Sequence, residues 1–342
     1  MHQSVVRPES RSEGPALDAS VIVPVYNCES YIGALLESIL NQEGVSFEVI
    51  AVCDGATDGS LSVIEAIAER DPRLIVVSQP NSGPSVARNT GLSLARGEWI
   101  LFADGDDLLR SGMLACMIAR GRAEHLDIVL GNGIAFAQAP DFERAAPLLS
   151  KQPWERVCDG KTWVAHAVQH QEWPHYVWLQ CLRRAFVEKI GLRFEAGIVH
   201  EDMIWTLHIA RHAQRMAFIA EPQYAYRTNP TSLCNSPSQQ RVREQVSGYL
   251  RGLAELVDVA RKENATPAFR RALFRQAALD AEFLLRLVSR RITEDSARAR
   301  YATQFVNAGY GPVFLQEARN TSQAWRALRC WLKFSILARK VR

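Results

Sequence analysis

Charge of one sign, ordered cysteine and long apolar runs are all scarce in this chain. Its 342 residues set 40 Lys and Arg against 37 Asp and Glu, a net charge of +3. That is too near neutral for a general nucleic-acid binder, so no nucleic-acid partner is expected. Seven cysteines, at 28, 53, 116, 158, 181, 234 and 330, are odd in number, far apart and without a CxxC pair. That spacing indicates neither a disulfide framework nor a zinc-thiolate site. No stretch approaches the roughly 20 apolar residues of a membrane span. The opening MHQSVVRPESRSEGPALD also lacks the apolar core of a secretion signal. These absences place the expected protein in the cytoplasm, with residues 1–17 read as a disordered N-terminus.

Two glycine motifs are missing as well. The first turn after a strand, Pro24-Val-Tyr-Asn-Cys-Glu29, has no GxGxxG, so no close backbone approach to a pyrophosphate is provided there. No GxxxxGK[ST] phosphate loop occurs either. A nucleotide on this chain would be held by side chains and a metal.

What is present is a strand–helix alternation. Ser20–Val25 reads as a buried strand, followed by helical spacing at Ile32, Leu35, Leu36, Ile39 and Leu40. Phe47–Val52 ends at Cys53-Asp54-Gly55 and leads through Thr57-Asp58-Gly59-Ser60 into a helix with Leu61, Ile64, Ile67 and Ala68. Leu74–Val77 is a third strand, and Ser82–Ala95 a third helix with proline in its first turn. Trp99–Ala103 is a fourth strand. Repeated βα units imply right-handed crossovers and a mostly parallel, Rossmann-like α/β sheet.

The fourth strand runs into Asp104, Asp106 and Asp107 within GEWILFADGDDLL. Open α/β sheets place ligands at the carboxyl ends of their strands. Three clustered carboxylates repel one another, and a hard cation or a ligand's donors between them relieves this. A solvated turn capping the next helix is the other reading of these acids.

Beyond Leu126 the periodicity loosens. Asp127–Leu130 reads as a further strand, and Trp154, Trp163, Trp173, Tyr176 and Trp178 form an aromatic segment that serves either packing or a pocket wall. His166/His170 and His208/His212 are spaced i, i+4, but neither pair has a third ligand at suitable spacing, so they read as ordinary histidines. Glu201-Asp202 opens a periodic helix: the pair is either a capping arrangement favoured by the helix dipole or a general base. A short strand, Met216–Ile219, follows, and beyond Ser236 the spacing is helical throughout, with Val246, Leu253 and Val257, then Leu273, Ala277 and Ala281.

SVIVPVYNCESYI, CDGATDGS, NSGPSVARNTGL, GEWILFADGDD and HEDMIW, in this order and spacing, resemble family 2 glycosyltransferases of the GT-A fold. The resemblance covers about residues 18–235, leaving 236–342 as a C-terminal helical region. More narrowly, HYVWLQCLRR, RFEAGIVHEDMIWT and the length look like lipopolysaccharide-core enzymes of the heptose III glucuronosyltransferase type.

The resemblance implies an inverting, metal-dependent transfer of a hexosyl or glucuronosyl unit from a UDP-sugar to a glycan or lipid-linked glycan acceptor. It places Pro24, Tyr26 and Asp54 around the donor's base, Arg88 on the nucleotide, Asp104 on the ribose and metal side, and Asp106 on Mg²⁺ or Mn²⁺. Asp202 is the implied base, with Glu201 its neighbour. Cys53 and Ala56 depart from the usual aspartate and serine of this family pattern. A non-catalytic nucleotide-sugar-binding scaffold on a degenerate fold is the alternative from another class.

The C-terminal stretch adds one more expectation. Trp325, Leu328, Leu332 and Ile336 share a helical face beside Arg326, Arg329, Lys333 and Lys340, and from Ser322 onward there are six basic residues and no acid. Such a helix either lies on an anionic membrane, at the inner face of the cytoplasmic membrane, or packs on its own domain.

Overall fold

The computed structural model describes residues 5–6, 16–228, 238–262 and 266–339. The chain divides into two compact units: residues 1–163, 174–197 and 208–229, and residues 164–173, 198–207 and 230–342. Compared with the sequence boundary at 235, the second unit also takes in 164–173 and 198–207.

The first unit begins with β1 (Val5–Val6), β2 (Ala19–Val25), α1 (Glu29–Leu40), β3 (Phe47–Asp54), α2 (Ser60–Ala68), β4 (Leu74–Gln79), α3 (Pro84–Leu94) and β5 (Trp99–Phe102). It continues with β6 (Leu108–Leu109), α4 (Met113–Ala123), β7 (Ile128–Phe136), β8 (Gln180–Arg183), α6 (Arg184–Ile190) and β9 (Met216–Arg227). Helices α5 (Gly160–His170) and α7 (Glu201–His212) are divided between the units.

One mixed sheet runs β1-β4-β3-β2-β5-β8-β7-β9-β6. Its core, β4-β3-β2-β5, is parallel, as the βα repeats require. Every residue of β3 is buried, and α1 turns Ile32, Leu35, Leu36 and Ile39 inward. Glu48, near the start of β3, is tolerated because the Ser20 hydroxyl, the Arg96 amide and the Arg96 guanidinium all donate to it.

Two features were not legible beforehand. Strand β8 enters the sheet antiparallel to both β5 and β7. Val5–Val6 pairs antiparallel with Val77 and Val76, whereas the rest of the N-terminal segment expected to be disordered, up to residue 15, lies outside the described residues. Ser232 and Cys234 also lie outside them.

The second unit is helical: α8 (Gln239–Lys262), α9 (Pro267–Arg290), α10 (Asp295–Asn307), α11 (Tyr310–Gln316) and α12 (Thr321–Arg339). Thr266 caps α9 by accepting the Phe269 amide, with Pro267 in the first turn. The expected inward face of α9, Leu273, Ala277, Ala281, Leu284 and Val288, is buried. Helix α12 packs through Ala327, Cys330 and Phe334, the last stacked on Phe305 at 4.0 Å. Its opposite face leaves Trp325, Leu332 and Ile336 exposed. Leu328 is half-buried, and Lys340 lies outside the described residues.

Candidate active site

The carboxyl ends of β2, β3 and β5 face one edge of the parallel core, and the loops there are laced together. Asn27, in the left-handed region at φ 48, donates to the Thr57 hydroxyl and accepts the Thr57 amide at 2.8 Å. Glu29 accepts the Gly59 amide, while Asp58 accepts the Glu29 amide. Between these turns Tyr26 is 44% exposed, an aromatic face presented at the edge, and Pro24 is half-buried behind it.

Asp54 closes β3 and is 3% exposed. Its Oδ1 accepts from the Gln79 amide at 2.7 Å and the Ser82 N–H at 2.9 Å, and Oδ2 accepts the Gly83 N–H at 2.8 Å. Three of the roughly four lone-pair positions of the carboxylate are thus used by the protein. The residue therefore fixes the entry to α3 as well as reaching the edge. Gly55 follows at φ +66, where a Cβ would stand 2.6 Å from the Asn81 nitrogen, so only glycine admits this loop.

Arg88 on α3 is buried, lies over the Phe194 ring, and donates to Asp104 Oδ1 at 3.0 Å. Phe194 is itself pinned to α3 by a reciprocal pair of 2.8 Å bonds between its backbone and the Asn89 side chain.

The three acids after β5 do not act as one cage. Asp107 is fully buried and points away into the sheet: it accepts the Tyr224 hydroxyl at 2.7 Å and the Arg227 N–H at 2.7 Å. Burial, with the Asp104 charge behind it, pushes the Asp107 carboxyl up to about 8. The Tyr224 hydroxyl also accepts the Asp104 N–H at 3.1 Å, and Arg227 Nε donates to the Asp106 carbonyl at 2.7 Å. Asp104 and Asp106, the two acids expected on the metal, are both half-buried on a loop braced from β9. Among the described residues no three His, Cys, Asp or Glu side chains form a ready metal cage. Two carboxylates on a fixed loop fit a hard cation that takes its remaining oxygens from a diphosphate and water.

Glu201 and Asp202 open α7 in the second unit, both half-buried, with Asp202 Oδ1 accepting the Met203 amide at 2.9 Å. His200 before them adopts φ 67 and its ring lies 4.5 Å from Tyr249. Burial holds its imidazole below the usual range. A Cβ on Gly248 would stand 1.9 Å from the Val199 carbonyl, so α8 touches this turn through glycine. The His166 and His170 rings lie 4.1 Å apart, tilted by 32° to each other.

The sequence reading assigned no role to Tyr224, Arg227 or Asp107's buried position. The alternation in Tyr224-Ala-Tyr-Arg227, two aromatics on one strand face, was the available signal.

Residues 20–171 match the family model described as Glycosyl transferase family 2. Residues 20–171 thus form a family 2 glycosyltransferase domain. The matched span includes Pro24, Tyr26, Asp54, Arg88, Asp104 and Asp106 and stops short of Glu201 and Asp202. Among relatives, the uncharacterized glycosyltransferase EpsJ of Bacillus subtilis is 36% identical over 231 residues, covering 66% of this chain and 66% of EpsJ. The uncharacterized glycosyltransferase YibD of Escherichia coli is 29% identical over 215 residues, 63% of this chain and 62% of YibD. The chain thus spans less than two thirds of the length of several such relatives. The glycosyltransferase domain and its helical extension are similar to S. aureus TarS 1–349, solved with UDP, at TM-score 0.65 and 19% identity over 94% of this chain and 90% of that one. A mannosyltransferase from Pyrobaculum calidifontis, solved with GDP-Man and Mn²⁺, gives TM-score 0.56 and 18% identity over 94% and 87%. These likenesses establish the fold: a GT-A-type α/β sheet followed by C-terminal helices. No described helix is long and apolar enough to cross a membrane.

Proposed function

We propose that this chain is an inverting, divalent-cation-dependent glycosyltransferase that moves a hexosyl or glucuronosyl unit from a UDP-sugar to a hydroxyl of a lipopolysaccharide-core or other cell-envelope glycan. The observation that carries this reading is the braced Asp104-Gly105-Asp106 loop, ion-paired to the buried Arg88 at the edge where Tyr26 is exposed. The UDP bound to TarS and the Mn²⁺ bound to the mannosyltransferase support the donor class and the metal.

In this reading Tyr26 and Pro24 flank the base, and Asp54 reaches it with its remaining acceptor position while holding the loop before α3. Asp104 and Asp106 would hold Mg²⁺ or Mn²⁺, which when bound supplies positive charge against the departing diphosphate. Arg88 orients Asp104 through its 3.0 Å ion pair with Oδ1. Asp202, at a helix N-terminus where an ionised carboxylate is favoured, accepts the proton of the acceptor hydroxyl. One base and no protein nucleophile give a single displacement, and so inversion at the anomeric carbon.

The exposed side of α12 extends the reading to a lipid-borne acceptor. Trp325, Leu332 and Ile336 are 63%, 47% and 59% exposed, with Arg326, Arg329 and Lys333 beside them. Apolar groups flanked by cations, with no acid from Ser322 onward, complement an anionic membrane surface at the cytoplasmic face.

The test is UDP release from a panel of UDP-sugars with Mg²⁺ or Mn²⁺ and cell-envelope glycans as acceptors. Acceptor-stimulated UDP release supports the reading. Donor binding without turnover across the panel replaces it with a nucleotide-sugar scaffold.

A further inference from the structure

Four aromatic rings converge beside the Asp104–Asp106 loop. Trp178 stacks on Tyr224 at 4.4 Å and 19°, on Tyr176 at 4.8 Å and 21°, and on Tyr226 at 5.7 Å and 3°. The two inner rings are buried, Trp178 at 5% and Tyr224 at 0% exposed. Tyr176 and Tyr226 stand 41% and 36% open. Ordinary core packing accounts for the inner pair. It does not account for two large near-parallel rings left at the surface on top of them.

The sheet explains where this array lies. β8 is antiparallel to β5, with Leu101 opposite Cys181 and Trp99 opposite Arg183. Its beginning, preceded by Tyr176 and Trp178, therefore lies at the carboxyl end of β5, where Asp104 follows. β9 is parallel to β7, so Tyr224 and Tyr226 close their strand at the same edge. The inner ring is tied directly to the acidic loop, since the Tyr224 hydroxyl bonds Asp107 and the Asp104 amide. In sheet order, the Tyr26 and Asp54 turns lie over β2 and β3 on one side of β5, and the rings over β8 and β9 on the other.

We infer that Tyr176 and Tyr226, backed by Trp178, form a pyranose-binding subsite for the acceptor glycan. This rests on the transferase reading above. A pyranose presents a patch of C–H groups on one ring face, and an aromatic face is its natural counterpart: apolar area is buried while the equatorial hydroxyls stay hydrated at the rim. Rings held by stacking lose little side-chain entropy when a sugar docks. Their place beyond the metal-side carboxylates, away from the base-side turns, assigns them to the sugar that receives rather than to the nucleotide.

Saturation-transfer NMR on the full chain with methyl β-glucoside, β-galactoside, α-mannoside and N-acetyl-β-glucosaminide tests this. At least one glycoside is expected to receive saturation on the C–H protons of one ring face. Tyr176→Ala and Tyr226→Ala each weaken that binding at least tenfold, while Tyr176→Phe stays within twofold of the parent. Circular dichroism and UDP affinity report whether each variant folds. Absence of glycoside binding by the parent chain, or equal binding by folded alanine variants, overturns the subsite. Weaker UDP-sugar binding with unchanged UDP and glycoside binding also overturns it, by giving the rings to the donor sugar. Glycoside binding through these rings without UDP release from any UDP-sugar leaves the subsite standing and removes the transferase reading instead.

Discussion

The Tyr224 hydroxyl donates to Asp107 Oδ2 at 2.7 Å while accepting the Asp104 amide at 3.1 Å, so one phenol ties together both ends of the acidic loop. Both side chains are buried, Tyr224 and Asp107 each at 0% exposed. The bond therefore forms where an unmet partner carries its full desolvation cost. Asp107 serves this bracing contact, and Asp104 and Asp106 are the half-buried acids of the same loop.

Tyr224→Phe keeps the ring and its stacking on Trp178 but strips the hydroxyl from two partners. Destabilisation of about 1–3 kcal/mol is expected, measured by urea unfolding. Turnover falls further than UDP affinity does, because the loop geometry loosens while the base-side turns are untouched. Unchanged stability and turnover would show that the phenol is a bystander.

Asp280 offers a pH test in the helical unit. It is buried on α9, with Oδ1 accepting from Gln276 at 2.9 Å and Oδ2 without a hydrogen-bond partner among the described residues. Burial raises its carboxyl from 3.8 to about 7. With the folded value above the unfolded one, its contribution is fully present below about pH 4 and is lost as pH rises through about 7. Asp280→Asn should flatten the stability profile across that window. At pH 8 it should gain on the order of 1–2 kcal/mol over the parent chain. Parallel profiles for the two proteins would contradict this.

Asp202→Asn should remove turnover, on the order of 10²-fold or more, with UDP-sugar affinity nearly unchanged, since a general base acts on the acceptor. Glu201→Gln should be milder. The reverse ranking moves the base to Glu201, and equal loss of donor affinity and rate makes Asp202 a structural cap.

Full-length protein should co-sediment with anionic vesicles at low salt and leave them at high salt. Trp325→Ala combined with Ile336→Ala, both at exposed positions, should reduce that binding several-fold while UDP release from a water-soluble acceptor assay is retained. Absence of binding at any salt returns α12 to a purely packing role.

The parallel core was readable because β2, β3, β4 and β5 are short apolar runs punctuated by Asp, Gly and Pro, and buried strands need little else. Strand β8, Gln180-Cys-Leu-Arg183, was not readable. Four residues with polar ends carry no period, and only the empty place between β5 and β7 makes them a strand. The acids were correctly located at the edge, yet their division of labour depended on Tyr224 and Arg227, more than a hundred residues away in sequence. The tail was legible as amphipathic, with a membrane-bound helix and a helix packed on its own domain as the alternatives. The helix buries Ala327, Cys330 and Phe334 and exposes Trp325, Leu332 and Ile336.

The central claim is that Asp104 and Asp106 hold a cation against the donor's diphosphate, and calorimetric titration of UDP with and without Mn²⁺ tests it most directly. For the parent chain the metal is expected to tighten UDP binding at least tenfold. Asp106→Asn should abolish that metal-dependent gain, while its melting temperature and its metal-free UDP affinity stay close to those of the parent. UDP binding that is indifferent to Mn²⁺ in the parent chain, or a full metal-dependent gain in Asp106→Asn, would contradict the account.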